Sequence, residues 1–283
     1  MRPSHKIFFL LAAMAAFFLT GCRLIPSEDP AAAPSPSAPG HPAGPPISIH
    51  LLLGNPSNAS ATDRDNYLFV SENSAMSYNN GRGTLNWVQW KTSRDDLGDK
   101  LPRADFEPDR RLPPGFRRIT TFDYIGSGYD RGHMVPSADR FADPSRNAET
   151  FYMTNIVPQA GELNQYPWNK LENYARGQAR RGWDVYTIAG VYGEQERIKN
   201  KITVPSRCWK VIAFVRRGSD PGLIDEDTRI IAVDMPNQNG VRRDPWEKYR
   251  VTVRHIERMT GYDLFSRLPP EIQNVIENRV DGD

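Results

Sequence analysis

Strand-like and helical segments follow one another without regular alternation between residues 47 and 283. The clearest helical pattern begins near Tyr166 or Pro167, since proline is tolerated in a first turn, and runs to about Arg181. Apolar side chains recur on one face of it at Trp168, Leu171, Ala175 and Ala179. Three apolar, strand-like runs come after it, at residues 183–189, 209–215 and 229–233. Parallel α/β folds alternate strands with helices, so this order predicts an α+β fold with a central antiparallel sheet flanked by helices.

The remaining segments complete this outline. Residues 67–70 and 85–90 flank the turn-forming stretch 79–83, which predicts a hairpin. The apolar run at residues 47–53, which contains His50, is predicted to be a strand. Further helices are predicted at residues 145–153, 244–259 and 270–278.

The N-terminus has the features of an export signal. Arg2 and Lys6 precede an apolar run at residues 7–20, which is shorter than the roughly 20 residues that span a bilayer. Residues 1–21 are therefore predicted to be a signal peptide, with a short membrane anchor as the alternative. The ending Leu19-Thr20-Gly21-Cys22 resembles a bacterial lipobox and implies lipidation of Cys22; an ordinary cleavage site before a cysteine is the alternative.

The predicted lipid anchor is followed by a tether. Residues 22–46 comprise Cys22 and a stretch rich in Pro, Ala and Ser that cannot bury a core, so the folded domain is predicted at residues 47–283. The predicted location is the bacterial cell envelope. Arg23, rather than an acidic residue, follows Cys22, which favours the outer membrane where two membranes are present.

Charge and cysteine content exclude some function classes. The chain has 36 basic and 34 acidic residues, and removal of residues 1–21 with Arg2 and Lys6 would leave 34 of each. Overall charge therefore gives no argument for nucleic-acid binding, and any electrostatic attraction must be local. With Cys22 lipidated, Cys208 has no partner for an intrachain disulfide, and a cysteine-based zinc site is excluded.

One of the five histidines lies in a segment suited to catalysis. His133 lies among the Gly, Ser and Pro residues of segment 126–136. His5 and His41 lie in the signal and the tether, and His255 lies in a predicted helix with no acidic or Asn-rich cluster nearby in the sequence. A lone histidine is more often structural than catalytic, so a role for His133 depends on the motifs around it.

Four motifs occur in order around His133. Asp130-Arg131-Gly132-His133 resembles the D-R-G-H signature of the non-specific DNA/RNA endonucleases of the ββα-metal, or His-Me finger, superfamily. Residues 103–109 resemble the family's R-x-x-F-x-P-D element, and residues 154–159 precede an L-N-Q element at residues 163–165. Glu172 follows Asn164 at the family's spacing of eight. The resemblance covers about residues 54–268 and implies the ββα-metal fold.

The resemblance also implies an activity and a set of roles. The expected activity is metal-dependent cleavage of DNA and RNA with little sequence preference, with His133 as general base and one Mg²⁺ (Mn²⁺ being possible) held by Asn164. The predicted catalytic residues are His133, Arg103, Glu172, Asp130 and Arg131. The predicted substrate-binding residues are Arg176, Arg181 and Asn155.

The residue types suit this chemistry. A neutral imidazole accepts a proton near pH 7, Mg²⁺ keeps several waters and needs few protein ligands, and the arginine fork matches phosphate. Within one helix the Cα atoms of Asn164 and Glu172 would be about 12 Å apart. Asn164 is therefore predicted just before the helix, with Glu172 acting through a metal-bound water.

The alternatives are different classes of protein. One is a module that binds nucleic acid without cutting it, and the other is an envelope scaffold lipoprotein. The predicted partners are DNA, RNA and a membrane reached through the lipid at Cys22; no protein partner can be inferred.

Overall fold

The computed structural model describes residues 48–218 and 224–282. The predicted signal peptide, the lipidated Cys22 and the tether up to residue 46 lie outside these residues. Within the described ranges, no helix combines the length and the apolar character that crossing a bilayer requires.

Six antiparallel strands form the main sheet, in the order β1-β2-β3-β6-β9-β10. Their bounds are Tyr67–Val70, Ala75–Asn79, Thr84–Thr92, Trp183–Tyr192, Arg207–Arg216 and Ile230–Pro236. Side chains alternate across the sheet: on β9, Cys208 and Ile212 enter one core, whereas Trp209 and Val211 enter the other. Both faces are therefore covered, which explains why β6 and β9 read as continuous apolar runs.

Different parts of the chain cover the two faces. The C-terminal helices α5, Val253–Thr260, and α6, Pro270–Ile276, pack on the face that carries Trp209. On the same face lies Leu53 from the start of the described chain. The opposite face carries the segment that contains the predicted site.

That segment is a β-β-α unit. Strand β4, Asp130–His133, pairs antiparallel with β5, Ile156–Gln159. The chain then continues into α3, Gly161–Leu163, a π turn at Asn164–Trp168 and α4, Asn169–Arg180. Leu163, Trp168 and Leu171 anchor this helical stretch in the core against the sheet, and the α+β prediction with helices around an antiparallel sheet is confirmed.

Shorter elements complete the described chain. Helix α1 covers Thr121–Tyr124, and α2 covers Pro144–Glu149. Strands β7, Glu196–Ile198, and β8, Ile202–Val204, form a separate two-stranded hairpin. A small third core joins this hairpin to α1 and β5, through residues that include Tyr124, Ile156 and Ile202.

Three predictions about elements outside the β-β-α unit are wrong. Across the turn at residues 79–83, β3 pairs with β2, Ala75–Asn79, while Tyr67–Val70 is the next strand out. His50 lies in a 3₁₀ turn at Ile49–Leu51 instead of a strand. The predicted helix 244–259 is a 3₁₀ turn at Trp246–Tyr249 followed by α5.

Candidate active site

A cleft of about 460 Å³ lies beside β4 and the start of the helical stretch. Six of the predicted site residues line it: Arg103, Arg131, His133, Asn164, Glu172 and Arg176. They come from a loop, a strand and a helix that are far apart in sequence. The β-β-α unit brings together all of them except Arg103, which lies in the loop that precedes α1.

Asn155 fixes the backbone on which His133 lies. Its side-chain oxygen accepts the N–H of Val135 at 2.9 Å, and its amide nitrogen donates to the carbonyls of Val135 and Thr150 at 3.0 and 2.9 Å. The Asn155 carbonyl also accepts the N–H of Met134 at 3.0 Å. This buried side chain is fully used inside the protein, so its place in the structure is that of a positioning residue rather than a substrate contact.

The imidazole of His133 lies between two aromatic rings. Its ring centroid is 5.3 Å from that of Phe106 and 4.8 Å from that of Phe151. Burial, together with the positive charge of Arg103, lowers the pKa of His133 to about 3. The ring is therefore neutral over the physiological range, the state in which it accepts a proton. Nε2 is buried without a hydrogen-bond partner among the described residues, which leaves Nδ1 as the nitrogen open to the cleft.

Asp130, the first residue of β4, connects this strand to the helical stretch. Its Oδ2 accepts hydrogen bonds from the side-chain amides of Asn164 and Gln165, both at 2.9 Å. The bond to Asn164 orients that amide, so that its nitrogen faces Asp130. In the described part of the chain the Asn164 oxygen accepts no hydrogen bond, and it remains free to bind a cation.

Asn164 lies inside the helical stretch, so the prediction that it precedes the helix is wrong. Its backbone is helical, with φ −57° and ψ −47°. Pro167, which suggested a helix start, lies within the π turn. Proline cannot donate the i→i−4 hydrogen bond of an α-helix, and here it lies in a single π turn, the form in which π helices mostly occur within α-helices.

The π turn also changes which residues share a face. In a continuous α-helix, residues eight apart differ by about 80° around the axis. A π turn contains about one residue more than an α turn. The eight steps from Asn164 to Glu172 therefore amount to about two complete turns, and both side chains face the cleft.

Glu172 has a buried partner below the cleft. The ammonium of Lys210 on β9 is 3.4 Å from Glu172 Oε1 and 4.1 Å from the ring centroid of Trp168. Burial raises the pKa of the Glu172 carboxyl and lowers that of the Lys210 ammonium, while each charge partly offsets the effect on the other. Lys210 thus holds this carboxylate at the cleft wall.

Arg176 reaches the cleft wall but is already paired. Its guanidinium donates to Asp139 Oδ1 at 2.9 Å, and both side chains are more than nine-tenths buried. Asp139 Oδ2 accepts bonds from Trp90 and Thr92 in turn. The arrangement fits Arg176 to support α4 more than to bind a phosphate that approaches from solvent.

Arg103 and Arg131 are the exposed arginines of the cleft, whose lining also includes the exposed Lys100. The guanidinium of Arg131 lies 4.5 Å from the Phe106 ring centroid, and that of Arg103 lies 5.2 Å from the same ring. Within the described ranges neither forms an ion pair. Their charges are therefore available to a bound phosphate.

Arg181 does not come to the cleft. It caps the far end of α4, about 25 Å along the helical stretch from Asn164, and it is exposed. The basic loop residues Arg110, Arg111, Arg117 and Arg118 are also absent from the cleft lining. Arg111, for example, is held by Asp109 and Glu149.

The sequence analysis missed Lys210, Asp139 and the two rings beside His133. Lys210 gave a signal: a charged residue in the middle of an apolar strand run must have a buried partner. Asp139 gave none, because its partners Trp90 and Arg176 are distant in sequence.

A β-β-α unit packed on a large antiparallel sheet defines the ββα-metal class of nuclease fold. A solved structure of EndoG in complex with EndoGI shares this fold, with a TM-score of 0.66 at 24% identity over 79% of this chain and 92% of that one. A nuclease from Nostoc sp. is 42% identical over 276 residues, 96% of this chain and 97% of that protein. Mitochondrial endonuclease G from Bos taurus is 31% identical over 246 residues, 82% and 77% of the two chains.

The sequence profile of the DNA/RNA non-specific endonuclease family matches residues 55–271. The chain belongs to this family. It is a hydrolase that cleaves phosphodiester bonds in DNA and RNA with little sequence preference, in a family that depends on divalent metal ions. A silent binding module or an envelope scaffold is not favoured.

Proposed function

We propose that His133 takes the proton from the attacking water in phosphodiester hydrolysis, while Asn164 holds a Mg²⁺ ion and Arg103 stabilises the charge that builds at phosphorus. The observation that supports this division is their convergence on one cleft from three separate segments. No neighbouring nucleophile, such as a serine beside a histidine, is required by this arrangement.

The donor set fits a hard cation. The amide nitrogen of Asn164 is bound to Asp130, so the amide oxygen is the atom offered to a ligand. Oxygen ligands and retained waters are what Mg²⁺ prefers, and Mn²⁺ accepts similar ligands. When bound, the cation would neutralise charge on the scissile phosphate. Glu172, about two turns further along the helical stretch, would orient a water of that ion.

A side chain of the protein accepts the proton that the attacking water releases. With Nε2 enclosed, Nδ1 of His133 is the nitrogen that accepts a proton from water in the cleft. Burial and the positive charge of Arg103 both disfavour the imidazolium, so the ring is neutral before substrate binds. The negative charge of a phosphate beside the ring would oppose the effect of Arg103 and raise the pKa of His133. His133 would therefore be a stronger base when substrate is bound.

The substitution His133→Ala tests the assignment. It should lower kcat by about 10²–10⁴ on plasmid, single-stranded DNA and RNA alike, with unchanged circular dichroism and unchanged binding of Mg²⁺ or Mn²⁺. His255→Ala is the matched control, because His255 bonds to Asp234 and does not line the cleft. A His133→Ala activity within about threefold of wild type would refute the base assignment.

We also propose that the protein is exported and attached to the bacterial cell envelope through a lipid on Cys22. Support comes from the apolar run and the lipobox-like Leu19-Thr20-Gly21-Cys22. Cys22→Ser should release the protein from the membrane fraction while leaving its nuclease activity intact. Retention of the variant on salt-washed membranes would contradict the lipid anchor.

A further inference from the structure

Two large apolar side chains project from the turn that precedes β4. Phe122 is 72% exposed and Ile125 is 65% exposed, the highest values for large apolar residues in the described part of the chain. Phe122 lies in α1 and Ile125 directly follows it. Isolated exposed apolar residues are ordinary, but two on one short turn form a patch that water solvates poorly.

The turn is held firmly in this orientation. Between the two exposed residues, Asp123 is buried and accepts bonds from Thr120 and from the Lys201 ammonium, the latter at 2.7 Å. Tyr124 is buried in the third core. The ammonium of Lys199 donates to the Phe122 carbonyl. Phe122 and Ile125 therefore point outward from a fixed base.

Cations surround this patch. Lys199, Lys201 and Arg197 on the β7–β8 hairpin are exposed. Arg197 donates to the Gly81 carbonyl and Lys199 to the Phe122 carbonyl, so their charges are not cancelled by those contacts. The carboxylates of the patch are Asp123, paired with Lys201, and Glu196, which accepts the hydroxyl of Tyr129. The local charge is positive, although the chain outside the predicted signal is neutral.

The patch lies close in sequence to the active-site strand β4. Arg131, which faces the cleft, is six positions after Ile125, so their Cα atoms are at most about 21 Å apart. Nucleotides along one strand of a duplex are spaced by about 3.4 Å. A strand with its phosphate at the cleft would thus reach the patch within about six nucleotides.

We propose that Phe122 and Ile125 are a stacking platform for unpaired bases of the substrate strand that flanks the cleft, with Lys199 and Arg197 holding its phosphates. Aromatic side chains bordered by cations bind single strands without reading sequence, because every base has a π face. The platform favours single-stranded and locally opened nucleic acid over an intact duplex. This inference depends on the proposed active site in one respect, the position of the scissile phosphate.

Binding without turnover tests the platform. The purified protein in EDTA is titrated with a fluorescein-labelled single-stranded oligonucleotide of about 12 nucleotides and with its duplex form. Phe122→Ala should raise the Kd for the single strand by about 5- to 150-fold and change the Kd for the duplex less. Met259→Ala, which truncates a 50% exposed apolar residue on α5, should leave both values unchanged.

A second pair of measurements separates stacking from charge. The fluorescence of Phe122→Trp should be quenched when the single strand is added in EDTA. Lys199→Ala should instead reduce the salt dependence of binding, by about 0.7 in the slope of log K against log salt concentration. Hydrolysis of the small diester bis(p-nitrophenyl) phosphate by Phe122→Ala should match wild type, because that substrate has no flanking bases.

The outcomes distinguish this platform from the catalytic assignment. Unchanged single-strand affinity in Phe122→Ala, with an unquenched tryptophan in Phe122→Trp, overturns the platform whatever the activity of His133→Ala. An altered oligomeric state of Phe122→Ala on gel filtration, with unchanged affinity, overturns it in favour of a protein interface. Loss of the small-diester activity would show that Phe122 supports the active site itself, which also overturns it.

Discussion

Replacing Gly132 by alanine tests how closely β4 must approach β5. A Cβ at position 132 would lie 1.9 Å from Gln159 Oε1 and 2.7 Å from Gln159 Cγ, whereas ordinary contact begins at 3.4 Å. Gln159 is fully buried, so its side chain cannot swing away into solvent. Overpacking of this kind destabilises by about 1–3 kcal/mol, and a shift of about 1 Å at the neighbouring His133 would lower the rate by about 10².

The assays are urea unfolding and steady-state cleavage of one oligonucleotide. Gly177→Ala is the matched control: it makes the same chemical change inside α4, where a Cβ meets nothing within 4 Å in the described chain beyond its own helix. It should stabilise the protein by about 0.5–1 kcal/mol without affecting activity. Gln159→Ala combined with Gly132→Ala should cost less than the sum of the two single changes. A Gly132→Ala protein with wild-type stability and kcat would refute the close-approach argument.

Three further predictions concern the site and the response to acid. Asn164→Ala should weaken metal binding and activity together, with partial rescue at high Mg²⁺; an unchanged metal titration would assign the ligand role elsewhere. Arg103→Ala should mainly lower kcat, because its charge matters most as charge builds at phosphorus, and steady-state kinetics that show a change in KM alone would make Arg103 a docking residue. Burial lowers the pKa of His50 to about 4 from 6.5, so its contribution to stability is complete above pH 6.5 and is lost as the pH falls towards 4. The loss should reach about 3 kcal/mol, and unfolding of His50→Gln at pH 7 and pH 4 should show a correspondingly smaller acid effect.

Apolar spacing and run length predicted the parts of the fold that depend on residues close together in the sequence. The helix that contains Leu171 and the strands β6, β9 and β10 follow from apolar spacing and run length. The helix start was wrong because Pro167 is typical of a first turn, and nothing in the sequence distinguishes that position from a π turn. The partner of β3 was wrong because the Ala75–Asn79 strand has little β-forming character of its own and is specified by its neighbours.

The site was predictable as a set of residues but not as a set of contacts. The motifs identified His133, Asn164 and Arg103, and the structure brings all three to one cleft. Their partners come from tertiary structure: Glu172 meets Lys210 from 38 residues away, and Asn164 meets Asp130 from 34 residues away. Sequence spacing cannot show such pairs, because each depends on how the β-β-α unit packs on the main sheet.

The charge pattern of the cleft explains how a chain with a net charge of only +2 attracts a polyanion. Below the surface, Lys210 is paired with Glu172 and Arg176 with Asp139, so the buried charges cancel. At the surface, Arg103 and Arg131 remain without ion pairs in the described structure, stacked near aromatic rings that hold them without neutralising them. Cancelling the buried charges while leaving the exposed ones free concentrates positive potential where the phosphate binds. Binding that depends on so few cations should lose affinity with salt at a shallow slope, set by a handful of phosphate contacts.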